Sequence, residues 1–262
     1  MSEMRVAVIC TADSVFNRRV LPAHVSSFAE LVGIVAIHEP KRRTWERLRA
    51  EWRRSGWRTA DVLAFRLFYS ALLRRKDTDW IRGRADEELA ALPPVRDVPV
   101  LDTENPNSEE TRRFLEEVQP DLVVAACKTI LQREIFGVPA HGTFVVHPGI
   151  CPEYRNAHGC FWALARRDLE RVGATLLRID EGVDTGPVYG YYSTSFDERR
   201  ESHVVIQLRS VYDNFDRISE DLRRVYEGSA VPIDVSGRKS AAWGQPRLSD
   251  YLRWKRATRG AA

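Results

Sequence analysis

The chain has 262 residues, with 40 Lys+Arg against 37 Asp+Glu and a formal charge of +3. Apolar residues make up 44% and charged residues 29%, which excludes disorder and collagen-like architecture. The length allows one large α/β domain, or a domain with an appendage, with enough core to need neither disulfides nor a structural metal. The four cysteines, Cys10, Cys127, Cys151 and Cys160, form no C-x-x-C pair, and no His-Glu-x-x-His occurs. No metal site is expected, and reduced thiols in a cytoplasm fit best. Residues 1–4 lead directly into a strand-like run, so no signal peptide is expected, and no apolar run approaches the roughly 18 residues of a membrane helix.

Residues 5–10 (RVAVIC), 33–37 (GIVAI), 98–101, 122–126 and 143–146 are continuous apolar runs. That pattern suits strands buried on both faces, as in a parallel sheet covered by helices. Between them, 16–30 and 108–118 read as helices, the second capped by Ser108 with Glu109 and Glu110 in its first turn. Strand and helix alternating in this way predict an α/β fold with an open, doubly wound, mostly parallel sheet. Residues 175–179 and 188–196 add two later strands, separated by the turn-rich 180–186.

A basic helical insertion over about 41–92 interrupts this order. Within 41–84 there are 14 Lys+Arg and 5 Asp+Glu, interleaved with Trp45, Trp52, Trp57 and Trp80. Such a stretch could bind nucleic acid or an anionic surface. The favoured alternative is an amphipathic insertion whose Trp residues face the core and whose Arg residues face water.

Val204, Leu208, Val211, Phe215, Ile218, Leu222 and Val225 then recur at alternating spacings of four and three, which predicts one helix ended by Gly228. The stripe would serve either as packing on the sheet, which is favoured, or as a homodimer seam over 204–225. The expected organisation is an α/β domain over 1–200 and a C-terminal helical extension over 201–262 packed on it.

The chemistry concentrates between 121 and 186. His147 ends the strand 143–146, and ligand crevices of open α/β sheets lie at strand carboxyl ends. About thirty residues later, 179–186 is a turn holding Asp180, Glu181, Asp184 and two glycines. A His and an Asp meeting at a crevice make a general acid–base pair. The loop after the first strand, 11–14, has no Gly-x-Gly-x-x-Gly, which disfavours dinucleotide binding.

Residues 147–159 (HPGICPEYRNAHG), Gly173-Ala174-Thr175 and Asp180–Pro187 (180–187) resemble the catalytic region of the folate-dependent formyltransferase family, in order and in spacing. Residues 120–124 and 129–131 extend the resemblance upstream, so that it covers about 95–200. The resemblance implies a Rossmann-like fold and transfer of a formyl group from 10-formyltetrahydrofolate. Residue by residue, His147 is similar to the family's catalytic histidine and Asp184 to its catalytic aspartate. Lys128, Thr129, Ile130 and Leu131, with Asp180, Glu181, Gly182 and Val183, resemble the segments that hold the pterin ring. The family reads Asn-x-His at the strand end, whereas this chain reads Val145-Val146-His147. That asparagine donates to the developing oxyanion, and loss of one such donor costs about 10²–10³ in rate. Thr143 on the same strand face and Asn156 are candidate substitute donors, the other readings being a slow enzyme, altered one-carbon chemistry or a site that only binds, and His158 is a candidate for the acceptor side.

These features predict formyl transfer to the amine of a small molecule, an amino sugar or a specialised metabolite, with His147 and Asp184 as acid–base pair. The alternatives are a formyltetrahydrofolate hydrolase and a catalytically silent folate- or nucleotide-binding homologue. Methionyl-tRNA formyltransferases carry a separate C-terminal β-barrel, and only about sixty residues follow the last predicted strand here, so nucleic acid is not the expected acceptor. Neither a metal cofactor nor a membrane partner is expected.

Overall fold

The computed structural model describes residues 3–38, 44–95 and 97–259. The basic run Lys41-Arg42-Arg43 lies outside the described residues, as does the side chain of Trp45. Strands β1 (Arg5–Thr11), β2 (Glu30–Ile37), β3 (Val100–Thr103), β4 (Leu122–Ala126) and β5 (Gly142–His147) run parallel. A short strand β6 (Arg155–Asn156) follows, then β7 (Ala174–Arg178), which pairs antiparallel with β5, and β8 (Val188–Tyr192), which pairs antiparallel with β7. The sheet order is β3-β2-β1-β4-β5-β7-β8. This is the open, mostly parallel sheet that the apolar runs predict.

Burial on both faces explains the continuous runs. Along β1, Val6, Val8 and Cys10 enter one core cluster while Ala7 and Ile9 enter the other. Helix Glu109–Val118 begins at Ser108, whose side chain accepts from Thr111 N. It packs Phe114 and Val118 so closely over Gly33 that a Cβ there would lie 3.1 Å from the Phe114 ring. The single helix expected over 16–30 is instead a π-helical turn, Phe16–Val20, followed by the α-helix Leu21–Phe28, and Glu30 already belongs to β2.

The continuous helix expected over 204–225 is two helices, His203–Tyr212 and Phe215–Tyr226. Buried Asn214 marks the break, its Nδ2 donating to Ser193 O and Ser210 O at 2.9 and 3.0 Å. Leu208, Val211, Phe215, Ile218, Leu222 and Val225 all pack into the core cluster on one face of the sheet. Six of the seven stripe residues thus pack on their own chain, as the favoured reading has it.

The insertion forms helices Thr44–Ser55, Thr59–Leu72 and Arg74–Ala91. Trp80 joins the core as expected. Trp52 and Trp57 do not: they are 60% and 76% exposed. Among the described side chains of the first helix the buried one is Glu51, 3.0 Å from Arg66. The tail also holds elements without a clear periodic signal, strand β9 (Ala242–Trp243), paired with β6, and helix Leu248–Arg259. No helix among the described residues is long and apolar enough to cross a membrane.

Candidate active site

His147 is the last residue of β5, its side chain on the same face as those of Thr143 and Val145. Its ring is buried, and both nitrogens are engaged. Nε2 lies 2.9 Å from Tyr154 O, and Nδ1 lies 3.3 Å from Asp184 Oδ2. A carbonyl only accepts, so Nε2 carries a hydrogen, and a proton placed between Nδ1 and the carboxylate satisfies both partners. The loop between His147 and β6 folds tightly enough to require glycine. A Cβ on Gly149 would lie 2.5 Å from Tyr154 O and 2.9 Å from His147 Nε2.

Asp184 comes from the turn after β7. Asp180 Oδ1 accepts from Gly182 N and Thr185 Oγ1 at 3.0 and 2.8 Å, which fixes the turn, and a Cβ on Gly182 would strike Thr185 Oγ1. Asp184 itself has φ 52°, in the left-handed region. Two more non-glycine residues of this region share that conformation, Asn156 (φ 74°) and His158 (φ 58°). Such conformations are costly and persist where surrounding contacts over-determine them. The contacts here are specific. Asn156 N donates to Asp184 Oδ2 at 2.7 Å, and Arg155 Nη1 donates to Val183 O at 2.9 Å.

The loop after β4 carries Lys128, Thr129, Ile130 and Leu131. Asn107 pins it by donating to Ile130 O at 3.0 Å and accepting from Gln132 N at 2.8 Å. Arg133 of the following short helix reaches Glu181 at 3.3 Å, which links this loop region to the 180–184 turn. Ile130 is 63% exposed and Val183 39%, so each segment presents an apolar side chain to the outside.

Of the expected substitute donors, Thr143 is committed elsewhere. Its hydroxyl, buried, donates to Phe136 O at 2.9 Å. Asn156 gives Nδ2 to Trp243 O at 2.7 Å, but its side chain is exposed and its amide has a second hydrogen. His158 is held well below the usual imidazole range, at about 4, chiefly by burial, with the Lys128 and Arg66 charges adding to the effect and a hydrogen bond to Gln245 opposing it. Cys151 beside the turn is pushed up to about 12 by burial and by the Asp184 charge, which makes it a packing residue rather than a nucleophile.

A family model described as formyl transferase matches residues 4–204. The chain belongs to the formyl transferase family. Among curated relatives, methionyl-tRNA formyltransferase of Anaeromyxobacter dehalogenans (strain 2CP-1 / ATCC BAA-258) is 31% identical over 189 residues, 66% of this chain and 60% of that protein. The protein of the same name from Thermus thermophilus is 29% identical over 143 residues, 53% of this chain and 47% of its own. The chain thus spans less than two thirds of the length of the relatives it matches. Among solved structures, a sugar N-formyltransferase from Shewanella sp FDAARGOS_354 superposes with TM-score 0.57, covering 97% of this chain and 87% of that one at 14% identity. Phosphoribosylglycinamide formyltransferase from Bacillus halodurans gives TM-score 0.51, 86% and 94% coverage and 15% identity. At these identities the likeness is one of fold, and it is the Rossmann-like sheet expected from the resemblance.

Within this member of the family, Val145 is only partly buried and packs against the cluster of Cys151, Leu177 and Val188. Sequence reasoning missed two contributors. Asn107 carries no motif signal, and Trp243 lies in a stretch without periodicity, so only their contacts identify them.

Proposed function

We propose that the chain transfers a formyl group from 10-formyltetrahydrofolate to the primary amine of a small molecule, an amino sugar or a specialised metabolite. The observation that carries this is the 3.3 Å approach of His147 Nδ1 to Asp184 Oδ2 at the carboxyl end of β5. The segments resembling the family's pterin site fit a flat, partly apolar ring. Ile130 and Val183 offer exposed apolar surface, and Asn107 and Asp180 hold the two backbones in fixed shapes. Lys128, Thr129, Ile130 and Leu131 would line one side, and Asp180, Glu181, Gly182 and Val183 the other.

When bound, the folate supplies a formyl carbon that an amine can attack. The chain's own part is proton handling and placement. The attacking nitrogen must lose a proton as its bond to carbon forms. Asp184 is the more accessible member of the pair, its side chain 16% exposed against 5% for His147. It takes up that proton as the one already held between it and Nδ1 passes to the departing folate nitrogen, so the pair ends as it began. Tyr154 O holds the ring in orientation through Nε2. Asn156, with its spare amide hydrogen, is the donor proposed for the oxyanion that Val145 cannot serve. In this reading β9, paired with β6, lies beside the site.

Val145 also supports a second reading, in which the formyl group passes to water or the site only binds folate. Incubating the protein with 10-formyltetrahydrofolate, with and without a panel of amino sugars and other amines, separates the three. Formylated amine supports transfer, and formate released without amine supports a hydrolase. Thermal protection by a folate analogue without turnover, worth about 2.7 kcal/mol at a hundredfold excess over Kd, supports a binding protein.

A further inference from the structure

We infer that residues 238–245 act as a positioning strap, which fixes Asn156 in its left-handed conformation and thereby holds Asp184 against His147. The inference rests on the formyltransferase reading. Its basis is a chain of contacts that ends on one carboxylate oxygen.

The strap runs beside the loop that follows His147 and is bonded to it repeatedly. Ala241 N donates to Pro152 O and Arg155 N to Ala241 O, both at 3.0 Å. Trp243 O then accepts twice from the loop, from Asn156 Nδ2 at 2.7 Å and from Ala157 N at 3.4 Å. Left-handed Asn156 therefore bonds to the strap through its side chain.

The strap is itself anchored at both ends. Arg238 binds Glu153 through Nε and Nη2 at 2.9 and 2.6 Å and also contacts the Tyr191 hydroxyl. The Trp243 ring stacks on Trp162 at 4.9 Å and on Tyr154 at 5.8 Å, with the Arg166 guanidinium 4.7 Å from its centroid. Its Nε1 donates to Glu153 O at 2.8 Å, and Trp162 Nε1 donates to Gly244 O at 2.9 Å. Tyr154 is also the residue whose carbonyl orients His147. The strap thus supports both partners of the pair, one through Asn156 N–H and the other through Tyr154.

An unsupported Asn156 would relax out of the left-handed region and turn its N–H away from Asp184. A misplacement of about 1 Å at a reacting group is enough to cost up to about a hundredfold in rate. Trp243 touches none of the reacting atoms in this scheme, so its role is positioning.

The test compares Trp243→Ala, Trp243→Phe and Leu222→Ala in the full chain, with Leu222 serving as a buried core residue on the sheet and away from the strap. Expected for Trp243→Ala is a kcat lower by about tenfold or more, with KM for folate and amine within about twofold. The Asn156 amide should also exchange with solvent about tenfold faster. Trp243→Phe, which keeps the stack, should recover most of both. Leu222→Ala should lower Tm while leaving kcat and that amide unchanged. If Trp243→Ala does not fold, Arg238→Gln releases the strap's other anchor and should give the same split. Unchanged kcat and unchanged exchange in the strap variants, or an equal fall in kcat for Leu222→Ala, overturns the strap. If the natural chain turns over no formyl folate, the formyltransferase reading fails by itself, and the Asn156 exchange still decides whether the strap holds the loop.

Discussion

Asn156 donates its backbone N–H to Oδ2 of Asp184 at 2.7 Å, and that same oxygen faces Nδ1 of His147. One carboxylate oxygen thus joins the strand-end histidine to a loop residue held at φ 74°. The carboxylate is oriented before any substrate arrives, which is the condition for efficient proton transfer at a fixed site.

The first consequence concerns charge at Asp184. Asp184→Asn can still accept the Asn156 N–H but presents no negative charge to His147. Formyl-transfer kcat should fall by about 10²–10⁴, as should that of His147→Ala. Steady-state assay of both variants checks this, and either one retaining activity within a few-fold removes the pair from the mechanism.

Val145→Asn should raise kcat if its amide reaches the oxyanion. The amide would sit beside Cys151 and Leu177, so an unpaired N–H there would cost about 1–3 kcal/mol of stability. Thr143→Val, by contrast, breaks only the bond to Phe136 O and should cost about 1 kcal/mol while leaving turnover unaffected. Denaturant midpoints together with kcat separate the two outcomes. A slower Val145→Asn enzyme would show that another group already occupies that space.

Gly149→Ala tests the tightness of the turn after His147. Its methyl would fall 2.5 Å from Tyr154 O and 2.8 Å from the Gly159 Cα. Backbone must move to admit it, at about 1–3 kcal/mol, and His147 loses its fixed carbonyl partner. A lowered Tm together with reduced kcat is expected. A stable, fully active variant would mean that the loop is looser than its contacts imply.

Acid sensitivity should come from buried histidines. Burial is the main cause that pushes His24 and His158 down to about 4 and His203 to about 3. Each stays neutral in the folded chain while its unfolded form takes up a proton below about 6.5. Their contribution to stability is therefore complete above about pH 6.5 and is lost as pH falls toward 4, at about 1.4 kcal/mol per pH unit for each group in mid-window. Asp77 and Glu88, whose carboxyls burial raises, work in the opposite sense at the acid end. His203→Leu should flatten the dependence of the denaturant midpoint on pH by about a third of the histidine contribution near pH 5. An unchanged slope would show that His203 is not a buried neutral group.

The sequence by itself determined the sheet, its buried strands and the placement of His147 at a strand end. Those features are written locally, in runs such as LVVAA in β4 and in the Ser108 cap. Strand burial and capping depend on neighbours a few residues away, so composition and period suffice. The expected pairing of His147 with Asp184 came from the order of short motifs, and a 3.3 Å contact joins the two residues.

Only the tertiary structure decided what surrounds that pair. Strand position alone makes Thr143 a candidate donor, but its hydroxyl donates to Phe136 O. The stripe over 204–225 fitted a seam as well as a core, and Asn214, bonding to Ser193 and Ser210, broke it in two and laid it on the sheet. Asn156 meets Asp184 across 28 positions and Trp243 across 87. Contacts of that span depend on how the chain returns to itself, after β7 for Asp184 and after β8 for Trp243. A bond between a main-chain carbonyl and a loop amide places no requirement on hydrophobic period and leaves no mark in the order of residues.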